Sequence, residues 1–242
     1  MQINICHLYP DLLNVYGDVG NILILKDRLL KRGIEVNVLN VSTNEPFNAE
    51  EYDIVLLGGG QDNEQTIVSD DLFKKRVELQ KYIEDEKVLL AICGGYQLLG
   101  EYYIGANGER IEGLDLIDIV TESGNDRFIG NTISKEAITG DYIVGFENHS
   151  GRTILGDNVQ PMAEVVVGFG NNGQDKTCGC IYKNTFGTYF HGSFLAKNNK
   201  MADELIKRAL EKKYNKEIIL EPIDDEFYEK ARETLFDRYM KK

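Results

Sequence analysis

Two apolar runs that end in glycines constrain the fold of this chain more than any other feature. The first, DIVLLGGG, covers residues 53–60, and the second, VLLAICGG, covers residues 88–95. Short uninterrupted apolar runs are typical of strands buried on both faces of a parallel sheet. The charged segment between them, 70–86, predicts the surface helix that a parallel crossover requires. The pattern therefore predicts an α/β fold with a mostly parallel sheet flanked by helices.

The rest of the chain first extends this pattern and then departs from it. The further strands and helices predicted before residue 110 lie at 3–9, 21–33, 34–41 and 94–103. Beyond residue 110 the apolar segments are shorter and typical of antiparallel strands, at 114–121, 142–147, 163–169 and 178–182. Two helices, 201–213 and 224–240, close the chain. Because no repeat or linker is visible, residues 1–242 are predicted to form one domain with an added antiparallel portion.

Composition excludes some classes of function. The 40 acidic and 27 basic residues give a formal net charge of −13, which argues against general binding of nucleic acid. The first ten residues lack the basic segment of a secretory signal, and no apolar run approaches the ~20 residues of a membrane helix. We therefore expect a cytoplasmic protein without a membrane span.

Four cysteines, Cys6, Cys93, Cys178 and Cys180, do not make a disulfide framework in a chain of 242 residues. Cys178 and Cys180 form a C-x-C pair, but a zinc site needs about four ligands. In a strand the two thiols would share one face, so shared burial explains them without a metal.

Cys93 has the sequence context of a nucleophile elbow. An apolar strand ends at Cys93, Gly94 and Gly95 follow, and a helix begins at once. The sharp turn needs small neighbours, and the positive end of the helix favours a thiolate. The backbone N–H of Gly94 would point at a developing oxyanion. A buried structural cysteine is the alternative interpretation, and the two glycines favour the nucleophile.

The glycines of the other run, at 58–60, would bring more backbone N–H groups to the same edge of the sheet. Gly59 and Gly60 are candidates for the second oxyanion donor and for binding the substrate backbone. A phosphate-binding turn is the alternative, but neither G-x-x-x-x-G-K-[ST] nor G-x-G-x-x-G is present.

A cysteine nucleophile normally needs a histidine as its base. The chain has three, His7, His149 and His191. His191 follows a strand of alternating aromatics and precedes a glycine, which places it at the edge of the sheet. Each of the three is also compatible with a structural role.

These segments together resemble class I (triad-type) glutamine amidotransferases of the cobyric-acid-synthase-like branch. The resemblance includes the Gly-Gly-Gly loop, the elbow AICGGYQ and the later YFHG. Within this branch, LNVYGDVGNI, GGGQDNEQ, GFENHSGRT and YFHGSFL resemble the glutaminase subunits of lipid II isoglutaminyl synthases, over residues 13 to 195. The resemblance implies a flavodoxin-like sheet and hydrolysis of L-glutamine by Cys93 and His191. It also implies that Gln97 lies near bound glutamine and that Arg127 binds the substrate.

One departure from the family pattern concerns the group that orients the histidine. Triad-type enzymes usually carry Pro-Glu after the histidine, whereas Gly192 and Ser193 follow His191 here. The site is therefore predicted to be a Cys–His dyad or to take its carboxylate from elsewhere, with Asp18 and Glu147 as candidates. The cobyric-acid-synthase-like branch also lacks this Pro-Glu.

The resemblance further implies a partner. Ammonia would pass to a Mur-ligase-like (MurT-type) subunit in a heterodimer that amidates the D-glutamate of lipid II. No Walker motif is present, so no cofactor is expected in this chain, and ATP and magnesium would belong to the partner. Recruitment to the inner face of the membrane through lipid II would follow.

Three alternatives remain from the sequence. Cysteine hydrolases of the DJ-1/PfpI type share the elbow but carry a histidine directly after the cysteine, where this chain has Gly94. Amidation in cobyric acid synthesis is a second, although those proteins usually add an N-terminal ATP-binding domain. A non-catalytic regulatory subunit on an amidase fold is the third, and intact Cys93 and His191 argue against it.

Overall fold

A computed structural model describes residues 1–105 and 107–240, and its centre is a six-stranded, mostly parallel sheet. The strands of this sheet are, in chain order, β1 (Gln2–Leu8), β2 (Glu35–Val41), β3 (Ile54–Leu57), β4 (Val88–Ile92), β11 (Cys180–Tyr182) and β12 (Thr185–Thr188). Their spatial order is β11-β12-β4-β3-β1-β2, and only the edge strand β11 runs antiparallel to its neighbour. The predicted α/β fold class is confirmed.

The two apolar runs of the sequence form the adjacent central strands β3 and β4, in which every residue is buried. Successive side chains of a strand point to opposite faces, so each strand contributes to two apolar layers. Ile54 and Leu56 pack in the layer that contains Leu25 of a helix on one face, whereas Val55 and Leu57 join the layer on the other face.

Helices cover both faces of this sheet and continue to the end of the described chain. They are α1 (Val19–Lys31), α2 (Asp62–Glu84), α3 (Gly94–Leu99), α4 (Phe194–Lys197), α5 (Asn199–Tyr214) and α6 (Glu226–Met240). A short 3₁₀ turn, Val15–Gly17, precedes α1. Among the described residues, no helix combines the length and the apolar character needed to cross a bilayer.

A second, largely antiparallel sheet is built by residues 102–178. Its strands are β5 (Tyr102–Ile104), β6 (Arg110–Glu112), β7 (Ile119–Glu136), β8 (Tyr142–Leu155), β9 (Ala163–Val167) and β10 (Thr177–Cys178). The prediction of short strands after residue 110 was wrong in one respect, because β7 and β8 form one long hairpin. A register shift between Ser123 and Phe128 interrupts their pairing, which is why the polar middle of β7 did not show strand periodicity.

Two helices have bounds that differ from the prediction by several residues. Helix α2 begins at Asp62 instead of residue 70, and α3 ends at Leu99 because the chain enters β5.

Cys178 and Cys180 do not share a strand face. Gly179 has a left-handed backbone (φ 62°) and separates β10 from β11, so the two buried thiols enter different apolar layers.

The C-terminal segment is held on the parallel sheet by a buried guanidinium. Arg28 of α1 donates paired hydrogen bonds of 2.7–2.9 Å to Asp203 of α5 and to Asp225, which precedes α6. Arg28 is 2% exposed, so this cluster is well shielded from solvent. Charge-assisted, two-pronged pairs of this kind fix geometry as well as position.

Candidate active site

Cys93 lies at the end of β4, where the chain turns sharply into α3. Its backbone has a positive φ (φ 49°, ψ −106°), a strained conformation that costs a non-glycine residue about 1–3 kcal/mol. A Cβ on Gly95 would lie 2.6 Å from the carbonyl oxygen of Leu57, and a Cβ on Gly94 would lie 2.8 Å from the side-chain amide of Gln65. A side chain on Gly95 would collide with the backbone after β3, and one on Gly94 would displace Gln65, so small residues suit both positions of the turn.

The thiol opens onto a polar cleft of about 550 Å³ between the two sheets. The cleft is lined by three groups expected from the sequence, namely His191, Gln97 and Arg127, and by Tyr16 and Asn148, which were not expected. Cys93 is the half-buried member of the four cysteines, and the other three are buried. The structure thus brings Cys93 together with His191, Gln97 and Arg127 at one site.

His191 lies near Cys93 because every residue of β12 pairs with β4. The two residues follow these neighbouring parallel strands at the same edge of the sheet. The histidine follows β12 and donates its backbone N–H to the carbonyl of Phe146 on β8, at 2.8 Å. A Cβ on Gly59 would lie 3.1 Å from Cε1 of His191 and 3.3 Å from Cβ of Cys93. Gly59 therefore occupies the narrow space between nucleophile and imidazole, where even a Cβ would be in tight contact.

Asp18, just before α1, supplies a buried carboxylate to His191. Its Oδ1 lies 3.9 Å from Nδ1 of His191, which is a charge contact and too long for a hydrogen bond. Burial by itself lowers the pKa of His191, but a thiolate on Cys93 and the Asp18 carboxylate raise it to about 10. The arrangement therefore favours the imidazolium form of His191.

Glu147, the other candidate for orienting the histidine, is placed elsewhere. Its carboxylate accepts the backbone N–H groups of Phe169 and Gly170, at 2.7 and 3.0 Å. One oxygen lies 3.9 Å from Nε2 of His149, so its histidine neighbour is His149. Burial lowers the pKa of His149, and Glu147 opposes this effect only in part. The geometry favours Asp18 over Glu147 beside His191.

The expected role of Gly59 needs correction. Its backbone N–H donates to Oδ2 of Asp18 at 2.7 Å, so it is not free to receive an oxyanion. The glycine instead fixes the carboxylate that faces His191. Gly60 lines the cleft and Gly94 follows the nucleophile directly, and these two remain the candidate oxyanion donors.

Gln97 and Arg127 lie on opposite sides of the cleft. Gln97, in α3, is almost fully buried and donates from Nε2 to the hydroxyl of Tyr189 at 3.1 Å. Arg127, in β7, is exposed and donates from Nε and Nη2 to Oδ1 of Asn148, at 3.1 and 2.9 Å. A guanidinium at the mouth of a polar cleft is suited to a carboxylate ligand.

Sequence reasoning missed Tyr16, Asn148 and Tyr189. Their positions follow from pairings between distant parts of the chain, and a tyrosine gives no sign that its backbone is left-handed, as it is at Tyr16 (φ 60°). The signal that was available is their proximity in sequence to residues already singled out. Tyr16 lies two residues before Asp18, and Tyr189 two residues before His191.

An elbow cysteine, an imidazole with a raised pKa and a buried carboxylate lie here at the carboxyl edge of a parallel sheet, and these are the groups that cysteine-dependent acyl transfer requires. The chain belongs to the family of CobB/CobQ-like glutamine amidotransferase domains, which residues 4–199 match.

Two curated relatives and one solved structure illustrate this. The chain is 46% identical to the GatD subunit of lipid II isoglutaminyl synthase (glutamine-hydrolyzing) from Streptococcus pneumoniae, over 98% of this chain and 91% of that protein. It is 42% identical to the subunit of the same name from Staphylococcus aureus, over 98% and 96%. A glutamine amidotransferase from Thermotoga maritima has a similar fold, with a TM-score of 0.56, 18% identity and coverage of 96% and 93%.

Selective alkylation tests the accessibility of Cys93. At neutral pH, iodoacetamide should modify Cys93 first, because it lines the cleft while burial raises the pKa of Cys6, Cys178 and Cys180. Peptide mass spectrometry measures the modified site, and the denatured chain, alkylated at all four cysteines, is the control. Modification of a buried cysteine before Cys93 would contradict this description of the site.

Proposed function

We propose that the chain is a glutaminase subunit that hydrolyses L-glutamine through a thioester on Cys93 and supplies ammonia to a Mur-ligase-like partner. The partner would use ATP and magnesium to amidate the D-glutamate of lipid II. The observation that carries the chemistry is the placement of Cys93 and His191 in one polar cleft, with the buried carboxylate of Asp18 3.9 Å from the imidazole. The pathway is supported by the two GatD relatives, which align with nearly the whole chain.

The proposed reaction begins from the thiolate–imidazolium pair. The sulfur of Cys93 attacks the side-chain carbonyl carbon of glutamine, and the N–H groups of Gly94 and Gly60 stabilise the oxyanion. The C–N bond breaks as His191 gives its proton to the leaving nitrogen, and ammonia departs. Water, deprotonated by His191, then hydrolyses the thioester to glutamate and restores the thiolate.

Substrate binding is proposed to use two further polar side chains of the cleft, Arg127 and Gln97. The guanidinium of Arg127 would bind the α-carboxylate of glutamine, since planar guanidinium and carboxylate groups match. Gln97 donates its amide N–H to Tyr189, which leaves its carbonyl oxygen as an acceptor for the α-ammonium group. Both contacts would hold the side-chain amide of the substrate toward Cys93.

An assay of glutamine hydrolysis tests the proposal. The purified chain should release glutamate and ammonia slowly, and faster once the partner is bound. Affinity purification of the tagged chain from its native cells, in mild salt, should recover a protein of the Mur-ligase type. Equal rates with and without that protein, or no such protein among those recovered, would contradict the proposed complex. The absence of glutamate release under both conditions would contradict the glutaminase assignment itself.

A further inference from the structure

Tyr16 lies over the catalytic imidazole in an unusual backbone conformation. Its backbone is left-handed (φ 60°, ψ 20°), and Gly17 after it is left-handed as well (φ 76°). The ring centroids of Tyr16 and His191 are 4.8 Å apart, with the planes tilted by 56°. Tyr16 is nevertheless 49% exposed. Because left-handed tyrosines are uncommon and strained, a half-exposed one at a cleft calls for a functional explanation.

The hydroxyl of Tyr16 joins the two sides of the cleft. It accepts a hydrogen bond from Nδ2 of Asn148 on β8. The other end of the same amide, Oδ1, accepts from Nε and Nη2 of Arg127, at 3.1 and 2.9 Å. Arg127 sets the orientation of the Asn148 amide, since rotation by half a turn would turn its NH₂ group toward the guanidinium and break both bonds from Arg127. A continuous chain of hydrogen bonds therefore connects Tyr16 to the guanidinium of Arg127.

The connection that carries Tyr16 is itself anchored. Val15 donates its backbone N–H to the carbonyl of Gly59 at 3.1 Å, and the hydroxyl of Ser193 donates to the carbonyl of Gly17 at 3.2 Å. The side chain of Asn14 accepts the N–H of Val19 at 2.9 Å, at the start of α1. Tyr16 is therefore fixed relative to the glycine loop at residues 58–60 and to the segment that follows His191.

We propose that Tyr16 is a positioning residue for glutamine hydrolysis: its hydroxyl, through Asn148, holds Arg127 in the orientation that binds the substrate carboxylate, and its ring covers the imidazole of His191. This inference rests on the proposed function. An exposed arginine samples many rotamers, and a preoriented one loses less conformational freedom when the substrate binds. The ring excludes water from one face of the imidazole. The two parts of the side chain therefore act on different kinetic parameters.

Tyr16→Phe separates them, because it removes the hydroxyl and keeps the ring. We expect KM for glutamine to rise roughly 3- to 10-fold, the value of one hydrogen bond, with kcat within about twofold of wild type. Asn148→Ala should give a similar increase in KM. Tyr16→Leu removes the ring as well, so it should lower kcat in addition. Tyr102→Phe is the matched control, because its hydroxyl bonds Glu122 at 3.3 Å outside the cleft and its loss should change neither parameter.

A double-mutant cycle with Arg127→Ala tests the link to the guanidinium. In that background Tyr16→Phe should have no further effect on KM, since the group that it positions is gone. A full additional increase in KM would overturn the link. An unchanged KM in Tyr16→Phe, or equal effects of Tyr16→Phe and Tyr102→Phe, would overturn the inference while wild-type activity keeps the proposed function intact. If the wild type hydrolyses no glutamine, the proposed function fails and this inference fails with it.

Discussion

Replacing Cys93 with alanine will abolish glutamine hydrolysis, with a fall in kcat of ~10⁴-fold or more, as expected when a covalent nucleophile is removed. No other described cysteine is available to take over, because Cys6, Cys178 and Cys180 are buried away from the cleft. The variant should fold, since alanine is smaller than cysteine and the turn depends on the glycines that follow. Release of glutamate and ammonia by wild type and variant measures the effect.

Cys178→Ala is the matched control for this experiment. It also removes one thiol, but Cys178 is buried in the apolar layer that contains Leu25 of α1. Glutamine hydrolysis should therefore continue. Binding of glutamine to Cys93→Ala should persist, because Arg127 and Gln97 are untouched. Similar rates for Cys93→Ala and wild type would refute the assignment of the nucleophile.

Asp18→Asn should produce the second largest effect, a fall in kcat of ~10²- to 10⁴-fold with little change in KM. The carboxylate of Asp18 helps to raise the pKa of His191 to about 10, so its removal should lower that pKa. In the proposed mechanism His191 gives its proton to the leaving nitrogen, so activity should be lost as pH rises through this pKa. In Asp18→Asn the alkaline limb of the kcat profile should therefore move to lower pH.

Glu147→Gln is the matched control, because it neutralises the other carboxylate that the sequence analysis named as a candidate for orienting His191. Glu147 faces His149 and binds the backbone of Phe169 and Gly170, so its loss should lower the melting temperature and leave the alkaline limb in place. Rates as a function of pH and thermal unfolding of both variants measure these effects. If Glu147→Gln shifted the limb and Asp18→Asn did not, the two roles assigned here would be reversed.

The elbow was predictable because its determinants are local. An apolar run that ends in Cys93 and two glycines specifies a buried strand, a sharp turn and a helix, and the close contacts of Gly94 and Gly95 explain why nothing larger stands there. The family resemblance added His191, Gln97 and Arg127, all of which line the cleft with Cys93.

The other parts of the site depend on pairings that a single sequence does not reveal. The choice between Asp18 and Glu147 depends on register, since β8 places Glu147 toward the loop of residues 168–170. The N–H of Gly59 bonds a carboxylate from another segment, so its assignment as an oxyanion donor was wrong. The long β7–β8 hairpin was hidden because its polar middle is interrupted by an irregularity.

The origin of Asp18 has a consequence for control of the enzyme. The carboxylate and the ring of Tyr16 both belong to the connection between β1 and α1, whereas Cys93 and His191 follow other strands. Displacement of that single connection by a few ångströms would separate the Asp18 carboxylate from the imidazole of His191 and expose that imidazole to solvent. The nucleophile and the sheet would stay in place. An inactive and an active form of the enzyme would then differ only in whether residues 9–18 are docked. A bound protein could stabilise either form through so small a change.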